Sequence, residues 1–191
     1  QGEVHLLVEA VSVAGKPLKA DLRISRPSSL ESLNVVVPWD EKTFQFTSKQ
    51  HCMPAAGRVA WGEKTFDFSS ANSFACLDFG RGIWPFSTSW NWAAFSARIG
   101  ADTVGVNMGA RWTDGTGMNE NGILLNGKQY KVFSDMRFEY RPDDLMAPWR
   151  LRTAESEEID LEFRPFYHRK ADTNLGILRT NVSQMIGRYS G

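Results

Sequence analysis

The sequence predicts an all-β protein, an antiparallel barrel or sandwich with little helix. Three observations predict it. Apolar and polar residues alternate over most of the chain, the period of strands with one buried face. Clusters of turn-forming residues (AGKP, RPSS, PWDEK, RPDD, AESEE) separate those runs at short intervals. No segment repeats its apolar residues convincingly at helical spacing. Because the alternation lapses over Gln50–Arg58, a variant with two barrel-like halves fits the same pattern. On that division residues 1–50 carry the strands that end a first β unit, and residues 51–191 form a tryptophan-rich barrel domain.

The elements follow in order. Val4, Leu6, Val8 and Ala10 fall on one side of a first strand, and Leu18, Ala20, Leu22 and Ile24 on one side of a second. Phe44 and Phe46 alternate with Gln45 and Thr47, Phe66 and Phe68 flank Asp67, and Val104, Val106 and Met108 alternate with small residues. Asn126-Gly127-Lys128 lies between ILL and YKVF and reads as a hairpin turn. Further on, Met136/Phe138/Tyr140, Trp149/Leu151/Thr153 and Ile159/Leu161/Phe163 each line one face, with Arg, Asp and Glu opposite. If neighbouring strands are antiparallel, those charges form a solvated ladder, each pair contributing ~0.2–1 kcal/mol. The closing segment GILRTNVSQMIG suits a helix or a strand, and a strand is the better fit.

Composition narrows the function classes. Lys plus Arg and Asp plus Glu total 22 each among 191 residues. Nucleic acid is therefore not expected as the main partner, since phosphate binding needs a basic excess on one face. No apolar run approaches the ~20 residues of a membrane-spanning helix, so the chain is not expected to be transmembrane. The start, QGEVHLLVEAV, lacks the regions of a signal peptide. Two cysteines, Cys52 and Cys76, read as reduced core thiols, which points to the cytoplasm. His5, His51 and His168 are scattered, so neither a metal nor a cofactor is expected. Both ends are abrupt, and the chain is expected to be a piece of a longer protein or a processed form.

The most informative stretch is DFGRGIWPFSTSWNWAAFS, Asp78 to Ser96. Trp90 and Trp92 share a face if the segment is a strand, and Trp84 precedes a bend fixed by Pro85. Gly80 and Gly82 allow positive φ or close backbone approach. Asp78 and Arg81 are placed to pair across such a turn, as a clasp, whereas Asp78 in an apolar mouth would act as an acid. The second stretch, NMGARWTDGTGMNENGILLNG, brings Arg111, Trp112, Asp114 and Glu120 to a glycine-rich loop. Its oxygens do not follow the calcium-loop pattern, so turn chemistry is the expectation. The candidate acids are Asp78 and Glu120. Candidate ligand contacts are Arg81, Arg111 and Asp114 with the indoles of Trp84, Trp90, Trp92 and Trp112. Phe138, Tyr140 and Trp149 extend the same aromatic lining.

Taken in order, WGEKTFDF, DFGRGIWPFSTSWNWA, NMGARWTDGTGMNENGILLNGK, PWRL…IDLEFRPF and NLGI…QMIGRYSG resemble the bacterial family known as domain of unknown function 2804. The resemblance is good over Val59–Gly191 and looser before it. Phe79 stands where the family more often has Trp. By more distant similarity the resemblance implies a lipocalin-like (calycin) barrel, akin to carotenoid hydratases, tocopherol cyclases and ceramide-binding proteins; fold analogy supplies no function by itself.

Three function classes follow. The first is binding of an apolar small molecule or lipid in a barrel cavity walled by inward aromatics. The second is an enzyme in that cavity, an acid-catalysed hydratase or cyclase. Asp78 or Glu120 would protonate an isoprenoid-like alkene, and aromatic faces would stabilise the cation. The third is a purely structural domain with a filled interior.

Overall fold

The computed structural model describes residues 2–12, 14–176 and 179–191. Every strand pairing in it is antiparallel. The chain divides into two compact units, Gln1–Phe133 and Ser134–Gly191. The first contains β1 (Gly2–Val11), β2 (Pro17–Arg26), β3 (Leu33–Pro38), β4 (Phe44–Trp61), β5 (Lys64–Phe68) and β6 (Phe74–Ile83). It also contains β7 (Asn91–Ile99), β8 (Asp102–Ala110), β9 (Gly122–Leu125) and β10 (Lys128–Lys131).

β4 organises this unit. Over its 18 residues it serves two sets of neighbours. Phe44–Gln50 lies between β3 and β6, and the C-terminal half lies between β2 and β5. The changeover is a register shift between Gln50 and Met53, where Cys52 takes φ 56°. An inserted residue of this kind bends a strand and interrupts its alternation. That is why the pattern lapses at Gln50–Arg58 although the strand runs straight through.

The second sheet of the unit has the order β10-β9-β8-β7. Asn126 and Gly127 both have positive φ, 51° and 87°, as a two-residue hairpin between right-twisted strands requires. This sheet packs on β4 through β7 and β8. Its junction with β3 is the apolar core, where Leu33, Val35 and Val37 meet Trp112, with Trp39 packed against them.

The second unit is a sheet of β11 (Met136–Glu139), β12 (Trp149–Thr153), β13 (Asp160–Asn174) and β14 (Arg179–Ser190), in that order. Tyr140, Trp149, Phe163 and Tyr189 make one aromatic row, with centroids 4.3, 6.0 and 4.8 Å apart in succession. On the other face the expected charge ladder forms. Arg150 donates to Asp160 at 2.9 and 2.6 Å, and Arg152 to Glu139 at 2.9 and 2.6 Å. These pairs run diagonally, since the direct partner of Arg150 on β13 is Glu162. Pro165 stands at the register shift of β13, a place where a missing N–H is tolerated.

The fold class is all-β and antiparallel, as expected, and two local expectations are corrected. No sheet among the described residues closes into a barrel. Asp78–Ile83 is part of a ladder strand on β4, not a turn, because its two glycines serve close packing and neither has positive φ. Cys76 is exposed while Cys52 is buried, so only one of the two free thiols is a core residue. The closing segment is a strand from Arg179 onward; Ile177 and Leu178 lie outside the described residues.

Burial and exposure set opposite expectations for neighbours on β12. Leu151 is 1% exposed, and Leu151→Ala should destabilise the protein by about 2–5 kcal/mol. Arg150→Ala removes a solvated ion pair and should cost far less. Urea denaturation of both variants measures the difference.

Candidate functional site

Along the N-terminal half of β4, Gln45, Thr47 and Lys49 project to one side and Phe44 and Phe46 to the other. The polar side is the buried one: all three residues are buried, whereas Phe44 is 41% exposed. This inverts the expectation that aromatic faces turn inward. The direct partners of Gln45, Thr47 and Lys49 on β6 are Gly82, Gly80 and Asp78. A Cβ at Gly80 would overlap the Gln45 amide, so glycine there makes room for a long polar side chain lying across the sheet. The same device recurs on β8. Its apolar residues Val104, Val106 and Met108 take one face, and Gly105, Asn107 and Gly109 the other. A Cβ at Gly105 would press on Cys52 and His51, and one at Gly109 would overlap the Glu120 carboxyl.

Into that space fits a cation between two carboxylates. The Lys49 side chain is 6% exposed. Its Nζ lies 2.6 Å from Asp78 Oδ2 and 2.9 Å from Glu120 Oε2. The second contact is an ion pair without the angle of a directed hydrogen bond, since Oε2 has no such partner. Trp112 Nε1 donates to Glu120 Oε1 at 2.9 Å. Thr47 Oγ1 donates to Asp78 Oδ1 over a long 3.4 Å. The Trp92 ring centroid is 5.4 Å from Lys49 Nζ, a cation–π contact. Asp78 is the member that reaches solvent, with 45% of its side chain exposed.

Asn107 ties the cluster to the strands. Its Nδ2 donates to the Glu120 carbonyl at 2.6 Å, and its Oδ1 accepts from Trp92 Nε1 at 2.9 Å and lies 3.3 Å from His51 Nε2. Asn121 Oδ1 accepts the Gly109 N–H at 2.8 Å. Trp84 Nε1 donates to Gln45 Oε1 at 2.7 Å, and its ring stacks on Trp112 with centroids 5.7 Å apart.

Electrostatics separate the two acids. Burial pushes the Glu120 carboxyl above the ordinary carboxylate range, and the Lys49 charge only partly opposes it. Burial likewise lowers the His51 pKa, so its ring is neutral at pH 7, with Nδ1 unpartnered in the interior.

The structure joins the two candidate acids, Asp78 and Glu120, through Lys49, and gathers Trp84, Trp92 and Trp112 around them. Arg81 does not clasp Asp78: three residues apart on β6, the two side chains leave opposite faces. Trp90 is exposed and precedes β7, so it does not share a strand face with Trp92. Arg111 and Asp114 form a turn beyond β8. Phe138, Tyr140 and Trp149 belong to the second unit. Lys49, His51, Gln45 and Asn107 are not singled out by sequence, because isolated polar residues in an alternating strand read as its solvated face. Their signal is the glycines opposite, at 80, 82, 105 and 109.

Two outcomes test this geometry. Gly109→Ala should destabilise by about 1–3 kcal/mol through overpacking against buried Glu120, read by urea denaturation. The Glu120 pKa is raised on folding, so its favourable contribution is complete below about pH 4.5 and is lost as pH rises through the folded value. Melting curves from pH 4 to 8 should therefore decline more steeply for the native protein than for Glu120→Gln, whose amide keeps an acceptor for Trp112. Parallel profiles would contradict the assignment.

A family model described as a domain of unknown function (DUF2804) matches residues 1–191. Comparison with curated proteins and with solved structures gave no match.

Proposed function

Because the chain belongs to the DUF2804 family, where fold alone assigns no activity, we propose from the Lys49 cluster that it binds a small molecule with an apolar body and a hydrogen-bond-donating end. The observation that carries this reading is Lys49, buried between the half-exposed Asp78 and the buried Glu120. One cation against two carboxylates leaves acceptor capacity at Asp78, the exposed member. That capacity suits a hydroxyl or ammonium group and disfavours a free carboxylate. Trp84 and Trp92 have their N–H groups bonded inward, to Gln45 and Asn107, yet 41% and 39% of each residue is exposed. What these rings offer outward is apolar and π surface for the body of the ligand.

The test is calorimetric titration with dodecanol, dodecylamine and dodecanoate below their micellar ranges. The alcohol and the amine should bind, and Asp78→Asn should weaken the amine at least about tenfold, the scale of a lost charge-assisted contact. Absence of heat with all three, or tightest binding of dodecanoate, refutes the reading.

A second reading rests on the two acids that share Lys49, the buried Glu120 and the half-exposed Asp78. Lys49 touches both acids, and Asp78 is the one open to substrate. Asp78 would protonate an isoprenoid alkene: the π pair forms the new C–H bond, and the neighbouring carbon becomes a cation facing the indoles. Water adds to that carbon and returns a proton to the carboxylate, giving a tertiary alcohol. Incubation in oxygen-18 water should label the product, and Asp78→Asn should abolish labelling while alkene binding persists. Labelling that survives the substitution removes Asp78 from the reaction.

A further inference from the structure

A separate groove of about 330 Å³ is lined by Trp39, Pro85, Ser87–Ser89, Arg111, Trp112 and Asp114, none of which is Lys49, Asp78 or Glu120. We propose that it is a saccharide-binding site. This inference does not rest on the ligand proposed for the Lys49 cluster.

The chemistry of the lining selects the ligand class. One indole, the part-buried Trp39, provides apolar surface, with the buried Trp112 behind it. Three consecutive hydroxyls, Ser87, Thr88 and Ser89, supply groups that both donate and accept, and Arg111 and Asp114 add one strong donor and one strong acceptor. An apolar ligand would strand those polar groups. A phosphate or carboxylate would meet the Asp114 charge. A nucleobase would leave most of the hydroxyls idle. A pyranose satisfies all of them, because its C–H face lies on an indole while its vicinal hydroxyls ring the edge as donors and acceptors together. The volume is at the small end of the range for small-molecule sites, enough for a short oligosaccharide end.

The groove is held in shape before any ligand arrives. Trp39 Nε1 donates to the Trp112 carbonyl at 2.7 Å, and the two rings meet edge to face at 5.9 Å. Arg111 takes φ 76°, a strained conformation for a side chain of its size. Two hydrogen bonds keep it there: its own N–H donates to Asp114 Oδ1 at 2.9 Å, and the Asp114 N–H donates to the Arg111 carbonyl at 3.1 Å. A fixed wall of this kind lowers the ordering cost of binding a weak, hydroxyl-rich ligand.

The experiment is a glycan array probed with the labelled protein, followed by calorimetry with the best soluble oligosaccharide. At least one glycan should be retained, and its binding should survive Asp78→Asn, a change at the exposed member of the Lys49 cluster, which separates this groove from that cluster. The triple variant Ser87→Ala, Thr88→Val, Ser89→Ala should weaken the sugar at least about fivefold, the equivalent of one hydrogen bond. Arg111→Gly provides a second variant that φ 76° favours; it should weaken the sugar similarly. Retention of no glycan overturns the proposal, as does unchanged affinity in both variants, or displacement of the sugar by inorganic phosphate or octanoate.

Discussion

The first unit depends on a buried ammonium group. Lys49 is placed on the inner side of β4, away from water, and its charge is matched only because Asp78 stands directly across on β6 and Glu120 reaches in from the segment after β8. A lysine in that position without partners would carry several kcal/mol of desolvation. The pairing with Asp78 therefore fixes the register of β6 on β4, and the pairing with Glu120 fixes the packing of one sheet on the other. Everything nearby is arranged around this requirement. Glycines take the positions where a side chain would collide with the polar groups, Asn107 holds the Glu120 backbone, and two tryptophans spend their N–H groups inward.

This arrangement gives the interface between the two sheets two kinds of filling. On β3, Leu33, Val35 and Val37 meet Trp112 in ordinary apolar packing. One strand over, on the same pleat face, Gln45, Thr47 and Lys49 meet glycine and carboxylate. Trp112 belongs to both regions, with its ring in the apolar core and its Nε1 on Glu120. A polar interior of this kind is costly unless each group is satisfied. Of the three buried side-chain atoms without a hydrogen-bond partner among the described residues, Thr43 Oγ1, His51 Nδ1 and Glu120 Oε2, the last belongs to the Lys49 cluster itself.

Much of the architecture was legible in the sequence, because period-two alternation reports strands regardless of which face is buried. The Asn126-Gly127 turn, the charge ladder around Arg150 and Arg152, and the final strand from Arg179 follow from local rules. β6 was not legible as a strand, since Gly80 and Gly82 mimic a turn when their real service is to clear space for Gln45. The acids Asp78 and Glu120 stood out by chemistry and by their aromatic neighbours. Lys49 did not, because a lysine between Ser48 and Gln50 on β4 has the appearance of a solvent-facing residue, and only the partner strands show that it is turned inward.

The shared strand has a dynamic corollary. The ladders on the two sides of the Gln50–Met53 shift have no backbone independent of β4, so neither can detach from it while leaving the other wholly undisturbed. Slow amide exchange should accordingly cluster along β4 as one cooperative block, and disorder introduced at the β1–β2 end would reach the buried ammonium by loosening the very chain that carries it.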